Sequence, residues 1–292
     1  MRVTIIGCGD IGERIAKILL TQKVAVKVLV RQATRVKHLN NIGLNVTQAD
    51  LDEDDIDQQL IAGARVIWLA PPPQSGCEES RVKHWLNSLN SDALPCKVVY
   101  ISTSGVYGDC NGAWVDESTP TNPQAERSKR RLDAEQQLIT WCKQHRVPCV
   151  ILRVAGIYGE GRWPLERIKR GNPVVKKSEA AFSNRIHQDD LAQACVAALL
   201  RDEAQGVINV SDGQPSTMTD YFQQIAKAFS LPALQEITLQ EAKQQLSLAM
   251  LSYLTESRRI DNRKMLRLLD MKLKYPTLEV ALAMHNVATM KT

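Results

Sequence analysis

The sequence predicts an α/β fold, a doubly wound parallel sheet carrying a smaller, interleaved C-terminal lobe. Three observations predict it. The chain opens on a short apolar strand that runs into Gly7, Gly9 and Gly12. Strand-like runs at residues 24–30, 44–48, 65–70 and 98–102 follow, with stretches of helical periodicity between them. Those runs are largely apolar rather than alternating, as strands covered on both faces are.

Val3, Ile5 and Ile6 make the first strand, and Ile15, Ile18 and Leu19 recur at helical spacing after Gly12. A G-x-G-x-x-G run between a strand and a helix is a cradle for a pyrophosphate. Gly7 permits the tight turn, Gly9 lets backbone approach phosphate, and Gly12 lets helix and strand pack closely. Asp10 and Ile11 open the helix, whose amides and positive dipole end face the anion. This Rossmann-type opening is expected to grip a dinucleotide.

The second strand, residues 24–30, ends in Arg31-Gln-Ala-Thr-Arg35, where the adenosine ribose should lie. An acidic residue there suits a free 2′-hydroxyl, whereas a guanidinium suits a 2′-phosphate. Arg31 and Arg35 therefore favour NADP(H) over NAD(H). The third strand, residues 44–48, leads to Asp50-Leu51-Asp52 and an acidic helix start. The fourth, residues 65–70, stops at three prolines, which cannot continue a central strand. Residues 77–89 read as an amphipathic helix with Trp85, Leu86 and Leu89 inward, and residues 98–102 as the fifth strand. In such a sheet, ligands lie at the carboxyl ends of the strands.

After the fifth strand, Ser102, Thr103 and Ser104 set three hydroxyls at that edge. From this point the chain resembles the extended branch of the short-chain dehydrogenase/reductases, the NAD-dependent epimerase/dehydratase family. The resemblance is carried by GCGDIG at 7–12, ADL at 49–51, STSGVYG at 102–108, ILRVAGIYGEGR at 151–162, NRIHQDDLA at 184–192 and GVINVSDGQPSTMTDYF at 206–222. It implies Asp50 and Leu51 by the adenine, Ala70 beside the nicotinamide-side ribose, and Thr103 as the hydroxyl that bonds the reacting oxygen. It implies Lys129 on the nicotinamide ribose, and a homodimer built through two helices per subunit. Read from local spacing alone, Lys129 is a solvated residue in the basic run 127–131, with Arg131 and Glu135 spaced for an ion pair.

The family's acid/base is a tyrosine four residues before that lysine, whose ammonium lowers the phenol's pKa. Here that position is Ala125, and none of the six tyrosines has lysine four residues on. Three explanations stand open. A substitute acid comes from Tyr107, Asp116, Glu126 or His187; the helix register differs from this reading; or the protein binds dinucleotide without turning it over.

In the second half, residues 147–154 form the sixth strand, and a substrate lobe is expected from residue 156 to 292 over a dinucleotide-binding domain at 1–155. Residues 184–212 are expected to return to the main sheet. Arg162, in the glycine-loosened loop 158–163, and Arg185 are candidate contacts for an acidic or phosphorylated substrate. His187 precedes a helix capped by Asp189 or Asp190, and residues 238–269 read as exposed helices.

Composition bounds the rest. The 292 residues are 44% hydrophobic and 24% charged, with net charge +5 from 37 basic and 32 acidic side chains. A phosphate-bearing ligand accounts for that mild excess, and no aromatic stacking pattern accompanies the basic run, so a nucleic-acid partner is not expected. No stretch approaches the roughly 18 apolar residues of a membrane helix. The seven cysteines include no C-x-x-C or metal-ligand spacing, and no charged leader precedes the first strand. The expectation is a cytoplasmic protein with free thiols and no metal. Its expected function is that of an NAD(P)-dependent oxidoreductase or epimerase acting on a sugar-like or other small carbonyl or alcohol substrate. The alternative is a non-catalytic NADP(H)-binding sensor.

Overall fold

The computed structural model describes residues 1–245 and 256–289. Seven parallel strands make the central sheet: β1 (Arg2–Ile6), β2 (Ala25–Val30), β3 (Asn45–Gln48), β4 (Arg65–Trp68), β5 (Lys97–Thr103), β7 (Cys149–Val154) and β12 (Gly206–Val210). Their spatial order is β12-β7-β5-β4-β1-β2-β3. The two-residue β6 (Trp114–Val115) lies outside this sheet. The chain builds outward from β1 to β3, then crosses back to β4 and builds the other way. That reversal opens a crevice between the carboxyl ends of β1 and β4.

Helices cover both faces. On one, α1 (Asp10–Thr21) buries Ile15 and Leu19 beside Leu191 and Cys195 of α7 (Gln188–Leu200). On the other, α4 (Ser80–Ser88) buries Trp85 and Leu86 beside Leu138 of α5 (Glu126–His145). Each fully buried side chain of this size contributes about 1.5–3 kcal/mol. Two short helices, α2 (Ala33–Asn41) and α3 (Gln58–Ile61), complete the first half. The acidic run after Asp50 forms turns, with helix only at α3.

The smaller lobe packs around Tyr158, Ile168, Tyr221, Phe222 and Leu282. It uses β8 (Gly156–Tyr158), α6 (Leu165–Lys169), β9 (Val174–Val175), β10 (Phe182–Ser183), β11 (Arg185–His187), β13 (Ser216–Thr217), α8 (Met218–Ala228), β14 (Glu236–Ile237), α9 (Leu239–Gln245) and α11 (Leu278–Thr289). β11 pairs in parallel with β8 rather than with the main sheet, while β12 pairs with β7 inside it. Two expectations are corrected here. α7 is capped by His187, whose Nδ1 accepts from the Asp189 amide at 3.2 Å, so Asp189 and Asp190 stand inside the first turn. Among the described residues of 238–269, helix is interrupted by β15 (Arg259–Ile260), which pairs with β6, and α10 (Arg263–Leu268) follows it. The part of that expectation at 246–255, where Tyr253 falls, lies outside the described residues.

Candidate dinucleotide and substrate cleft

β1 ends at Ile6 and the chain turns at Gly7 with φ +87°, a conformation that strains any residue with a Cβ. A Cβ there would stand 2.5 Å from the Ala70 backbone nitrogen. Its absence lets the tips of β1 and β4 meet, with the Leu69 and Ala70 amides donating to the Ile6 carbonyl at 2.8 and 3.0 Å. At Gly9 the case is opposite: a Cβ would meet nothing within 4 Å. α1 starts there with no side-chain cap, so its first-turn amides face open space. Open room above a glycine and uncapped amides at a helix start fit a diphosphate.

A cleft of about 460 Å³ adjoins this loop, lined by Gly7, Gly9, Arg31, Arg35, Asp50, Leu51 and Ala70 among others. Asp10, Ile11 and Gly12 form the adjoining first turn of α1. The two arginines differ. Arg31 is exposed at the rim, whereas Arg35 turns back to donate to the Cys8 carbonyl at 3.2 Å and to Glu13 Oε2 at 3.0 Å. Burial pushes the Glu13 carboxyl up, but hydrogen bonds from Lys17, Arg35 and His38 outweigh it and hold the pKa at about 2. A third cation, Arg81, lines the cleft and donates to Asp52 at 2.6 Å; the sequence reading missed it. No motif marks Arg81, which arrives from α4 only through tertiary packing.

A second cleft of about 640 Å³ meets the first at Pro72, which lines both. Its floor is the end of β5. Thr103 Oγ1 accepts from the Gly105 amide at 3.1 Å, which directs the hydroxyl hydrogen elsewhere. α5 presses close, since a Cβ on Gly105 would lie 2.7 Å from Ser128 Oγ.

α5 presents Arg127, Ser128 and Arg131 to this cleft. Lys129 is exposed and lines neither cleft, which corrects the expected ribose contact. The reason is the helix start. Ala125 is the N-cap, with extended backbone at φ −72°, ψ 135°, so positions 125 and 129 never form one helical face. The cleft-facing pair four residues apart is Arg127 and Arg131. Arg131 Nη1 donates to Tyr100 Oη at 3.1 Å and to the Ile101 carbonyl at 2.9 Å. It does not pair with Glu135, which is taken by buried Arg153 at 2.7 Å.

None of the four candidate substitute acids lines the cleft. Tyr107 is buried, donates to Asn209 Oδ1 at 2.8 Å, and burial raises its pKa. Asp116 folds into a turn with Ser118 and Thr119, and Glu126 is exposed beside Arg130. His187 stacks on Tyr275 with ring centroids 3.6 Å apart, and burial pushes its pKa down to about 4. Tyr107 is therefore a framework residue of this site.

On the lobe side the cleft is lined by Tyr158, Tyr221, Arg162, Arg185, Glu256 and Arg258. The Tyr158 hydroxyl is buried without a hydrogen-bond partner. Arg185, 6% exposed, stacks over Tyr221 at 4.0 Å and donates to the Ser216 and Ser183 hydroxyls at 2.8 Å each. Arg162 reaches the other way, its Nε and Nη2 lying 3.1 and 3.0 Å from Asp10 Oδ2. Among the described residues, no group of His, Cys, Asp and Glu could hold a metal, and no helix is long and apolar enough to cross a membrane.

A glycine cradle at the β1–α1 turn, opening on a cleft along the sheet's carboxyl edge, defines a dinucleotide-binding α/β protein. The chain belongs to the NAD(P)H-binding family, whose model matches residues 7–202. It is similar over 98% of both chains to a functionally unknown conserved protein from Silicibacter pomeroyi DSS, at 25% identity and TM-score 0.81. The UDP-glucuronic acid 4-epimerase from Bacillus cereus, solved with NAD, shares the fold at TM-score 0.76 and 19% identity, covering 97% of this chain and 96% of that one. The human dTDP-D-glucose 4,6-dehydratase is 32% identical over 135 residues, which are 44% of this chain and 39% of the dehydratase.

Proposed function

We propose that the protein is an NADP(H)-using enzyme of the epimerase/dehydratase type that acts on a small, sugar-like carbonyl or alcohol substrate bearing an acidic group. The observation that carries this reading is the junction at Pro72. A dinucleotide held at Gly7–Gly12 with its adenosine between Arg31 and Asp50 would end beside Thr103 in the arginine-lined cleft. A bound nicotinamide supplies or accepts hydride. Thr103 donates a hydrogen bond to the reacting oxygen, and the guanidinium of Arg131, fixed at the end of β5, stabilises the negative charge that develops there. Solvent water in the open cleft supplies the proton to the alkoxide, or takes it from the alcohol in the reverse direction. Arg127 stands on the same face. Guanidinium does not release its proton at neutral pH, so these two arginines act by charge and not as proton donors. Arg185 and Arg258 receive the substrate's acidic group. Arg31 contacts the 2′-phosphate of NADP(H), and Arg35 braces the glycine loop through Glu13.

The test is NADPH oxidation by the purified protein across carbonyl and nucleotide-sugar compounds, with Thr103→Ala alongside. Turnover that falls roughly 10²-fold in the variant supports the reading. The absence of a tyrosine–lysine pair from the described cleft favours a second reading, a dinucleotide-binding sensor. Tight binding of oxidised and reduced cofactor with different affinities, and consumption of neither by any compound, would replace the enzyme by that sensor.

A further inference from the structure

Asp10 is an odd residue to find where it stands. It is the first residue of α1, next to the open space above Gly9 that fits a diphosphate. A carboxylate there is favourable to the helix dipole but repels a second anion drawn to the same amides. Two guanidiniums offset its charge. Arg14, one turn along α1, lies 3.1 Å from Oδ1 and is shared with Asp189 at 2.6 Å. Arg162 comes from 152 positions away, in the small lobe, and places two nitrogens on Oδ2.

The Arg162 arm is held in place from behind. Its amide donates to the Gly159 carbonyl at 3.0 Å, and Gln188 Nε2 on α7 donates to the Glu160 carbonyl at 3.1 Å. Gly159, at φ +140°, lies so close to Gln188 that a Cβ would sit 2.8 Å from its amide carbon. The guanidinium is thus aimed at the start of α1, and the residue also lines the Thr103 cleft.

We propose that Arg162 is a ligand of the dinucleotide's diphosphate, waiting on Asp10 until the cofactor arrives, and not a substrate contact. Asp10 holds the guanidinium over the cradle, and the incoming diphosphate takes a share of it. The device ties the small lobe to an occupied cofactor cleft, because the loop that carries Arg162 also walls the substrate side.

The experiment is calorimetric titration with NADPH and with AMP, which fills the adenosine cleft but has no diphosphate. Arg162→Met is expected to weaken NADPH about tenfold or more and to leave AMP within about twofold. Asp10→Asn in the Arg162→Met background is expected to recover part of the NADPH loss, since the uncompensated repulsion is then gone. Arg162→Lys should fall between wild type and Arg162→Met. Unchanged NADPH affinity in Arg162→Met would overturn the proposal and return Arg162 to the substrate. Equal losses for NADPH and AMP would also overturn it, by showing a fold defect. Wild-type protein that binds neither nucleotide would instead count against the function proposed above.

Discussion

The Glu135–Arg153 pair beneath the cleft offers a sharp test of how the site is held. Glu135 and Arg153 side chains are 1% and 8% exposed, and three nitrogen–oxygen contacts of 2.7–3.2 Å join them. The Ser102 hydroxyl also donates to Glu135, tying α5 to β5 one residue before Thr103. Arg153 in turn lies over the Tyr107 ring at 4.9 Å. Glu135→Ala leaves a buried guanidinium without its counter-charge, a loss of about 3–5 kcal/mol. For a chain of this size that lowers the melting temperature by roughly 5–8 °C. Arg153→Met in the same chain removes the stranded charge, so the double variant should be more stable than Glu135→Ala alone. Thermal and urea unfolding of the three variants measure this. A Glu135→Ala loss below about 1 kcal/mol, or a double variant no better than the single, would refute the assignment of the pair as a buried, mutually dependent unit.

Two further outcomes are expected. Arg131→Met should lower turnover about tenfold, as loss of a hydrogen bond from a charged donor does, while Lys129→Met changes it less than about twofold; rates of NADPH oxidation compare them. Glu79 is buried at the start of α4, and desolvation raises its pKa to about 7. A carboxyl whose folded pKa lies above its unfolded value near 4.5 binds more protons folded, so its contribution to stability falls as pH rises from about 4.5 through 7. Glu79→Gln should therefore gain stability on wild type between pH 5 and pH 8, by up to about 3 kcal/mol, read as the difference in melting temperature at the two pH values.

Where the determinants were local, the sequence carried the site almost whole. Gly7 and Gly12 after an apolar strand specify a tight turn and a close helix–strand contact within a dozen residues, and the structure has both, with Gly7 at φ +87° and Gly12 against Cys8 and Leu69. Arg31, Asp50, Leu51 and Ala70 stand one to three residues past the ends of successive strands, so each meets the same edge once the sheet forms. Lys129 and Tyr107 went astray for different reasons. The side of α5 that faces the cleft depends on where the helix begins. That start is set by the preceding loop, pinned where the Asn122 amide donates to the Val106 carbonyl at 3.0 Å. Tyr107 sits in a recognisable motif, but its hydroxyl is claimed by Asn209, 102 positions later.

By itself, then, the sequence determined the alternation of strands and helices, the parallel sheet and the glycine turn after β1, because hydrophobic period and glycine spacing act over one or two turns of chain. Tertiary structure alone decided which charges meet: Arg162 with Asp10, Arg153 with Glu135, Arg131 with the β5 carbonyl. Coulombic partners are chosen by distance in space and by the burial that lowers the local dielectric, and neither is written in the separation of residues along the chain.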